Sequence, residues 1–126
     1  MKKLFGLMMF VVMLFCFSSV SMAGGELLPS NLKAQYDSGV LSDTEFCDKI
    51  AEYAMNIMGL RQMGYAKRTL LMETHELYEG YDLKYTTLFI HKSYEVPQYH
   101  SEEYLLEAFT SFSDGAWDYC QGNMLD

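Results

Sequence analysis

The side chains in this sequence able to carry chemistry are His75, His91 and His100, a surplus of carboxylates, and the cysteines Cys16, Cys47 and Cys120. His75-Glu76-x-x-Glu79 comes nearest to a metal motif. It lacks the second histidine of H-E-x-x-H, and on a helix Glu76 and Glu79 fall on the solvent side. No C-x-x-C-H occurs, which excludes covalent haem attachment. Two acid groups stand out: Glu73, Glu76, Glu79 and Asp82, then Glu102, Glu103 and Glu107. A glycosidase needs two such acids facing each other across a cleft, one of them in an apolar setting that raises its pKa. Acids spread along helices read instead as solvated faces. There is no G-x-S-x-G and no glycine-rich phosphate loop. The sequence therefore predicts no catalytic residue, no metal site and no cofactor.

The N-terminus has the three parts of a secretory signal. Lys2 and Lys3 precede an uncharged apolar run over 4–17, and Ser21 and Ala23 supply the small-x-small pattern that signal peptidase reads. Cleavage is expected between Ala23 and Gly24. A permanent anchor needs roughly 20 apolar residues, more than this run offers. Phe15 before Cys16 is not the small residue that lipidation requires. Residues 1–23 thus read as a signal peptide, and the expected location is the periplasm, with no stable membrane anchor after cleavage.

Export changes what the rest of the chain means. Cys16 leaves with the signal, so Cys47 and Cys120 remain. In an oxidising compartment two well-separated cysteines most simply pair with each other. Closing so long a loop contributes on the order of 4 kcal/mol by the chain-entropy model. A redox role is the weaker reading without C-x-x-C, and a nucleophilic Cys47 would need a free thiol. Loss of Lys2 and Lys3 also moves the formal charge from −8 to −10, with 17 acids against the remaining 9 − 2 = 7 bases. Nucleic acids and anionic membranes call for basic patches, so this balance argues against both as partners.

The elements that hold these residues read as helices. After a leader over 24–41, with a short helical turn at 32–36, Ser42-Asp43-Thr44-Glu45 is a capping box. Phe46, Ile50, Tyr53, Ala54, Ile57 and Met58 follow at helical spacing, and small residues at Cys47, Ala51 and Ala54 allow another helix to approach. Gly64 is the expected stop. A second helix is predicted over 67–79, with Leu70, Leu71, Thr74, Leu77 and Tyr78 inward. A third is predicted over 82–94 with Asp82 as its cap and Leu83, Thr86, Leu88 and Phe89 inward. Residues 85–90 are also good strand material, but no partner strand exists. Pro97 blocks continuation. Ser101 caps the last helix, whose face carries Leu105, Leu106, Phe109, Phe112, Ala116, Trp117 and Cys120. The expected fold is all-α, a helical domain over 42–121 of about four helices closed by one disulfide, with a frayed tail over 122–126. Pairing of Cys47 with Cys120 sets the first and last helices side by side and antiparallel. Ten tyrosines, all beyond the signal, read mainly as core and core-edge packing.

Two patterns in order carry a resemblance. Cys47-x3-Ala51-x2-Ala54-x2-Ile57-Met58-x2-Arg61-Gln62-x-Gly64 is followed by Tyr94-Glu95-x-Pro97, Glu102-Glu103-Tyr104, Phe109 and Cys120. Over about residues 45–120 the chain resembles a group of small exported helical proteins from Gram-negative bacteria, their phages and prophages, for which no activity is assigned. The resemblance implies export, a Cys47–Cys120 pair, and motif positions at Arg61, Gln62, Gly64, Tyr94, Glu95 and Pro97. Arg61 at the end of a helix is suited to its free carbonyls and dipole, and a pair between Arg61 and Glu95 is expected. The segment after Gly64, Tyr65-Ala66-Lys67, lacks a small capping residue. The functional expectation is a non-enzymatic binding or regulatory protein of the cell envelope whose partner is another envelope protein. The alternatives are a cell-wall hydrolase using Glu or Asp and a periplasmic stress chaperone.

Overall fold

The computed structural model describes residues 31–125. The expected signal peptide, its cleavage point between Ala23 and Gly24, and the first part of the leader lie outside the described residues. Five helices follow one another: α1 (Leu32–Asp37), α2 (Asp43–Gln62), α3 (Lys67–Leu77), α4 (Gly80–Ser93) and α5 (Glu102–Asn123), with no strand among the described residues. The described residues are all-α and closed by one disulfide. Residues 85–90 are helical, because the sequence offers them no strand to pair with.

Local chemistry sets most of the ends. The Glu45 backbone N–H donates to the Ser42 hydroxyl at 3.2 Å, and the Ser42 N–H donates back to the Glu45 carboxylate at 3.3 Å. Both predicted partners of the capping box are therefore satisfied. Gly64 ends α2 in the left-handed region at φ +90°. The Tyr65 N–H reaches back to the Leu60 carbonyl and the Gly64 N–H to that of Arg61. That pair of bonds is the Schellman closure of a helix, which favours glycine at this position. Ser101 accepts from the Tyr104 N–H at 3.4 Å and starts α5.

Other ends differ from expectation. Helix α3 stops at Leu77 because Tyr78 and Glu79 are extended, which carries the Tyr78 ring into the core. Helix α4 accordingly begins at Gly80, and Asp82 lies in its first turn instead of capping it. At the start of α3, Ala66 occupies the cap position with no side-chain cap bond, as the missing small polar residue foretold.

Helices α2 and α5 form the main pairing of the fold. The disulfide joins Cys47 to Cys120 with their Cα atoms 5.6 Å apart. Further along, the Trp117 ring N–H donates to Asp48 at 3.0 Å, and the Ser113 hydroxyl donates to the Ala51 carbonyl at 3.3 Å. Descending positions on α5 meet ascending ones on α2, so the helices are antiparallel as predicted. Phe46, Ile50, Ile57, Met58 and Ile90 are fully buried around this seam. Leu77 and Leu106, expected inward, are about half exposed. Each lies off the buried line of its helix, Leu70 and Thr74 on α3 and Phe109, Phe112, Ala116 and Cys120 on α5.

The described part of the tail, 122–125, is not frayed. Helix α5 runs to Asn123, and Met124 is 0% exposed. Helix ends leave their last carbonyls without partners. Here tyrosine hydroxyls supply them: Tyr85 donates to the Asn123 carbonyl at 3.3 Å and Tyr81 to that of Met124 at 2.9 Å, while Tyr36 shares its one hydrogen between the Asp43 carboxylate at 2.7 Å and the Leu125 carbonyl at 3.2 Å. Gly122 suggested a loose end, but the nearby disulfide and these three phenols hold it.

Two buried hydroxyls of α4, those of Thr86 and Thr87, are poorly served. The Thr86 hydroxyl is buried in α4 with no hydrogen-bond partner among the described residues. An orphaned buried hydroxyl costs stability, on the order of 1 kcal/mol or more. Thr86→Val should therefore raise stability by about 1 kcal/mol, read as a higher urea midpoint at unchanged m-value.

Candidate functional site

The two motif segments, 61–64 and 94–97, come together at the C-terminal end of α2. Gln62 is the hub and is itself buried. Its amide nitrogen donates to the Pro97 carbonyl at 2.8 Å and lies 3.5 Å from the Met58 sulfur. Its amide oxygen accepts from the Tyr99 backbone N–H at 2.7 Å, and its own backbone carbonyl accepts from the Gln98 side chain at 3.1 Å. One residue thus holds three consecutive residues of the segment between α4 and α5, Pro97 and Tyr99 by its side chain and Gln98 by its backbone carbonyl.

Arg61 completes the brace. Its Nε donates to the Val96 carbonyl at 3.2 Å, and its guanidinium lies over the Tyr94 ring, 4.9 Å from the centroid. The Tyr94 hydroxyl in turn donates to the Tyr65 carbonyl. Burial raises the Tyr94 pKa, and the Arg61 charge partly opposes that rise. Gly64 contributes space as well as its left-handed backbone, since a Cβ there would stand 3.4 Å from the Gln98 amide nitrogen. The predicted pair of Arg61 with Glu95 is not formed. Glu95 is exposed and lies 3.7 Å from Lys92, one helical step back, while Arg61 is engaged with Val96 and Tyr94. Arg61, Gln62, Gly64, Tyr94 and Pro97 therefore act as one unit, and Glu95 stands apart from it.

The chemistry of this unit is positional. Its bonds run from neutral amides, a phenol and a guanidinium to backbone groups. They fix the segment 94–101, and through Ser101 the first turn of α5. They also set out an aromatic surface, where Tyr99 stacks on Tyr104 at 5.6 Å and Tyr104 is 55% exposed.

The other candidates do not converge. His75, His91 and His100 are exposed on α3, on the last turn of α4 and before α5 respectively. Among the described residues no three His, Cys, Asp or Glu side chains stand close enough to hold a metal ion. Every described carboxylate other than Asp82 is solvent-exposed, and Asp82 is half-buried in the first turn of α4, where burial raises its pKa. Glu76 lines a shallow depression on α3 and Glu107 a groove beside α5, each as the sole carboxylate there. The described residues include no helix long and apolar enough to cross a membrane.

Two features were not singled out from sequence. One is the tyrosine set that closes α5, whose only signal was the i, i+4 spacing of Tyr81 and Tyr85. The other is the groove beside Ala108, Ser111 and Gly115, which the small residues on one face of α5 foreshadow.

Tyr81 makes the first of these testable. Burial pushes its hydroxyl pKa up, with further contributions from Tyr85, Asp37, Asp82 and Tyr36. A phenol whose pKa is raised by folding contributes stability that is complete below the ordinary value of about 10 and is lost as pH rises above it. Tyr81→Phe should cost about 1 kcal/mol at neutral pH through the lost bond to the Met124 carbonyl. The same variant should show a shallower fall in stability between roughly pH 9 and 11 than the wild type. Urea midpoints measured across that range check both effects.

The chain matches no family model, no curated protein and no solved structure.

Proposed function

We propose that this chain is an exported protein of the periplasm that acts by binding another protein of the cell envelope, without catalysing a reaction. The observation that carries this reading is the brace around Gln62. The polar side chains of Arg61 and Gln62 are engaged with backbone groups of the segment 94–99. Groups fixed in this way before a partner arrives lower the entropic cost of binding, and the stacked Tyr99 and Tyr104 are of a type enriched at interfaces. Export is supported by the three-part pattern over 1–23 and by the Cys47–Cys120 bond, which persists in oxidising surroundings. A bacterial or a phage-derived setting suits this reading equally.

Affinity capture tests it. The mature chain from Gly24, tagged and expressed in its native periplasm, should retain one partner in stoichiometric amount. Absence of any such partner under several growth and stress conditions, or turnover of cell-wall material by the purified chain, would overturn it.

A further inference from the structure

Helices α4 and α5 both pack on α2 and leave a groove between them. Leu88 and Phe89 from α4 and Phe112, Ala116 and Tyr119 from α5 line a space of about 240 Å³. Past Phe112 the groove continues into a second space of about 390 Å³, where Val96, Tyr99 and Tyr104 are supplied by the braced segment and the start of α5. Gly115 lies midway along, and a Cβ placed there would meet nothing within 4 Å. An exposed glycine in mid-helix costs about 1 kcal/mol against alanine, and here it lines open space in the groove. An apolar channel between two helices is the usual seat for the apolar face of a third.

Charge selects the occupant. Helix α5 carries Glu102, Glu103, Glu107, Asp114 and Asp118 and no basic residue over Glu102–Asn123. Among the described residues none of these five acids is ion-paired. On the opposite wall the cations are already matched, Lys92 by Glu95 at 3.7 Å and Lys84 by the Tyr85 ring at 5.1 Å. Helix α5 is therefore acidic and unpaired along its length; Glu107 lines the second space, and Lys92, already paired with Glu95, lines the first. A second mature copy would bring the same acidic helix and the same surplus of 17 acids over 9 − 2 = 7 bases. The chain's own residues 24–30 contain Glu26 and no basic side chain, so the α-amino group of Gly24 is offset by Glu26. Neither answers the acids, whereas Lys or Arg along one side of an apolar helix does.

We propose that the α4–α5 groove is the docking site for a basic amphipathic helix of a partner protein. This rests on the binding reading above and names the chemistry of the partner.

The test is a two-dimensional NMR titration of the mature chain, disulfide intact, with two synthetic helical peptides of about 18 residues, roughly five turns. Both share one leucine pattern, and one carries lysines where the other carries glutamates. The lysine peptide should bind and shift the signals of Leu88, Phe112, Gly115 and Tyr119, and the glutamate peptide should not bind. Gly115→Phe leaves every charge in place and fills the groove, and should weaken binding by about tenfold or more. Glu107→Lys with Asp118→Lys should weaken it comparably, so the result does not hang on one variant's folding. Absent binding, shifts outside the groove, or unchanged affinity of Gly115→Phe would overturn the proposal. A dimer dissociated by Gly115→Phe would overturn it in favour of a second copy. Groove signals that move on deletion of residues 24–30 would overturn it in favour of the leader. A periplasmic partner captured equally well by wild type and Gly115→Phe would leave the binding reading standing and remove this one.

Discussion

Replacing Cys47 and Cys120 together by alanine is expected to lower the free energy of unfolding by about 4 kcal/mol. The bond spans 73 positions, so it restricts nearly the whole described chain in the unfolded state. In the chain-entropy model the benefit grows with the logarithm of the loop, which places a loop this long near the upper end of the range. Both sulfurs are fully buried between α2 and α5, so loss of packing adds to the loss of the cross-link. Domains of this size are held by only about 5–15 kcal/mol, so the variant should be close to its limit at body temperature. Urea unfolding of the double variant against wild type measures the change, and reductant added to wild-type protein should reproduce most of it. The end of α5 should suffer first, because Cys120 lies one turn before the carbonyls that Tyr36, Tyr81 and Tyr85 hold. A loss below about 1 kcal/mol would mean that helix packing alone closes the fold.

The second large effect belongs to Gln62. Gln62→Leu keeps much of the volume but strands the Pro97 carbonyl and the Tyr99 N–H, both now served by one amide. Leaving two such groups unpaired is expected to cost about 3 kcal/mol, and protection of the Tyr99 amide against hydrogen exchange should fall with it. Gln62→Glu separates the two bonds. A carboxylate can still accept from Tyr99 but has no hydrogen to give to Pro97. The variant should therefore be destabilised at neutral pH. Its introduced carboxyl favours the protonated form on folding, so its pKa rises above the ordinary value of about 4.3. Stability should then recover as pH falls towards that range, since the protonated acid regains a donor. Comparing the pH dependence of the two variants shows whether the brace works through these hydrogen bonds or through packing alone.

What could be read from the sequence follows from the range of the forces involved. Ser42 with Glu45, Gly64 and Ser101 act within one helical turn, and each stands where the sequence placed it. The Cys47–Cys120 bond was legible because only two cysteines remain once the signal is set aside. The end of α5 was not legible. Gly122 weakens the helix locally, and the hydroxyls that rescue it come from 38 to 89 positions away. Of the six motif residues, Arg61, Gln62, Gly64, Tyr94 and Pro97 meet in the fold and Glu95 does not, so the contact expected between Arg61 and Glu95 is not formed. Opposite charge pointed from Arg61 to Glu95, whereas the guanidinium meets a carbonyl and a ring. The role of Gln62 was hidden for the same reason: an amide gives no charge signal, and its partners are backbone groups.

The most direct measurement is the intact mass of the chain recovered from the periplasm of its native host, before and after reduction and alkylation. The expected species begins at Gly24, lacks two hydrogens relative to the free thiols, and takes up alkylating agent at Cys47 and Cys120 only after reduction. A mass that retains Met1, or thiols that react without reduction, would contradict the reading of this chain as an exported helical domain closed by one disulfide.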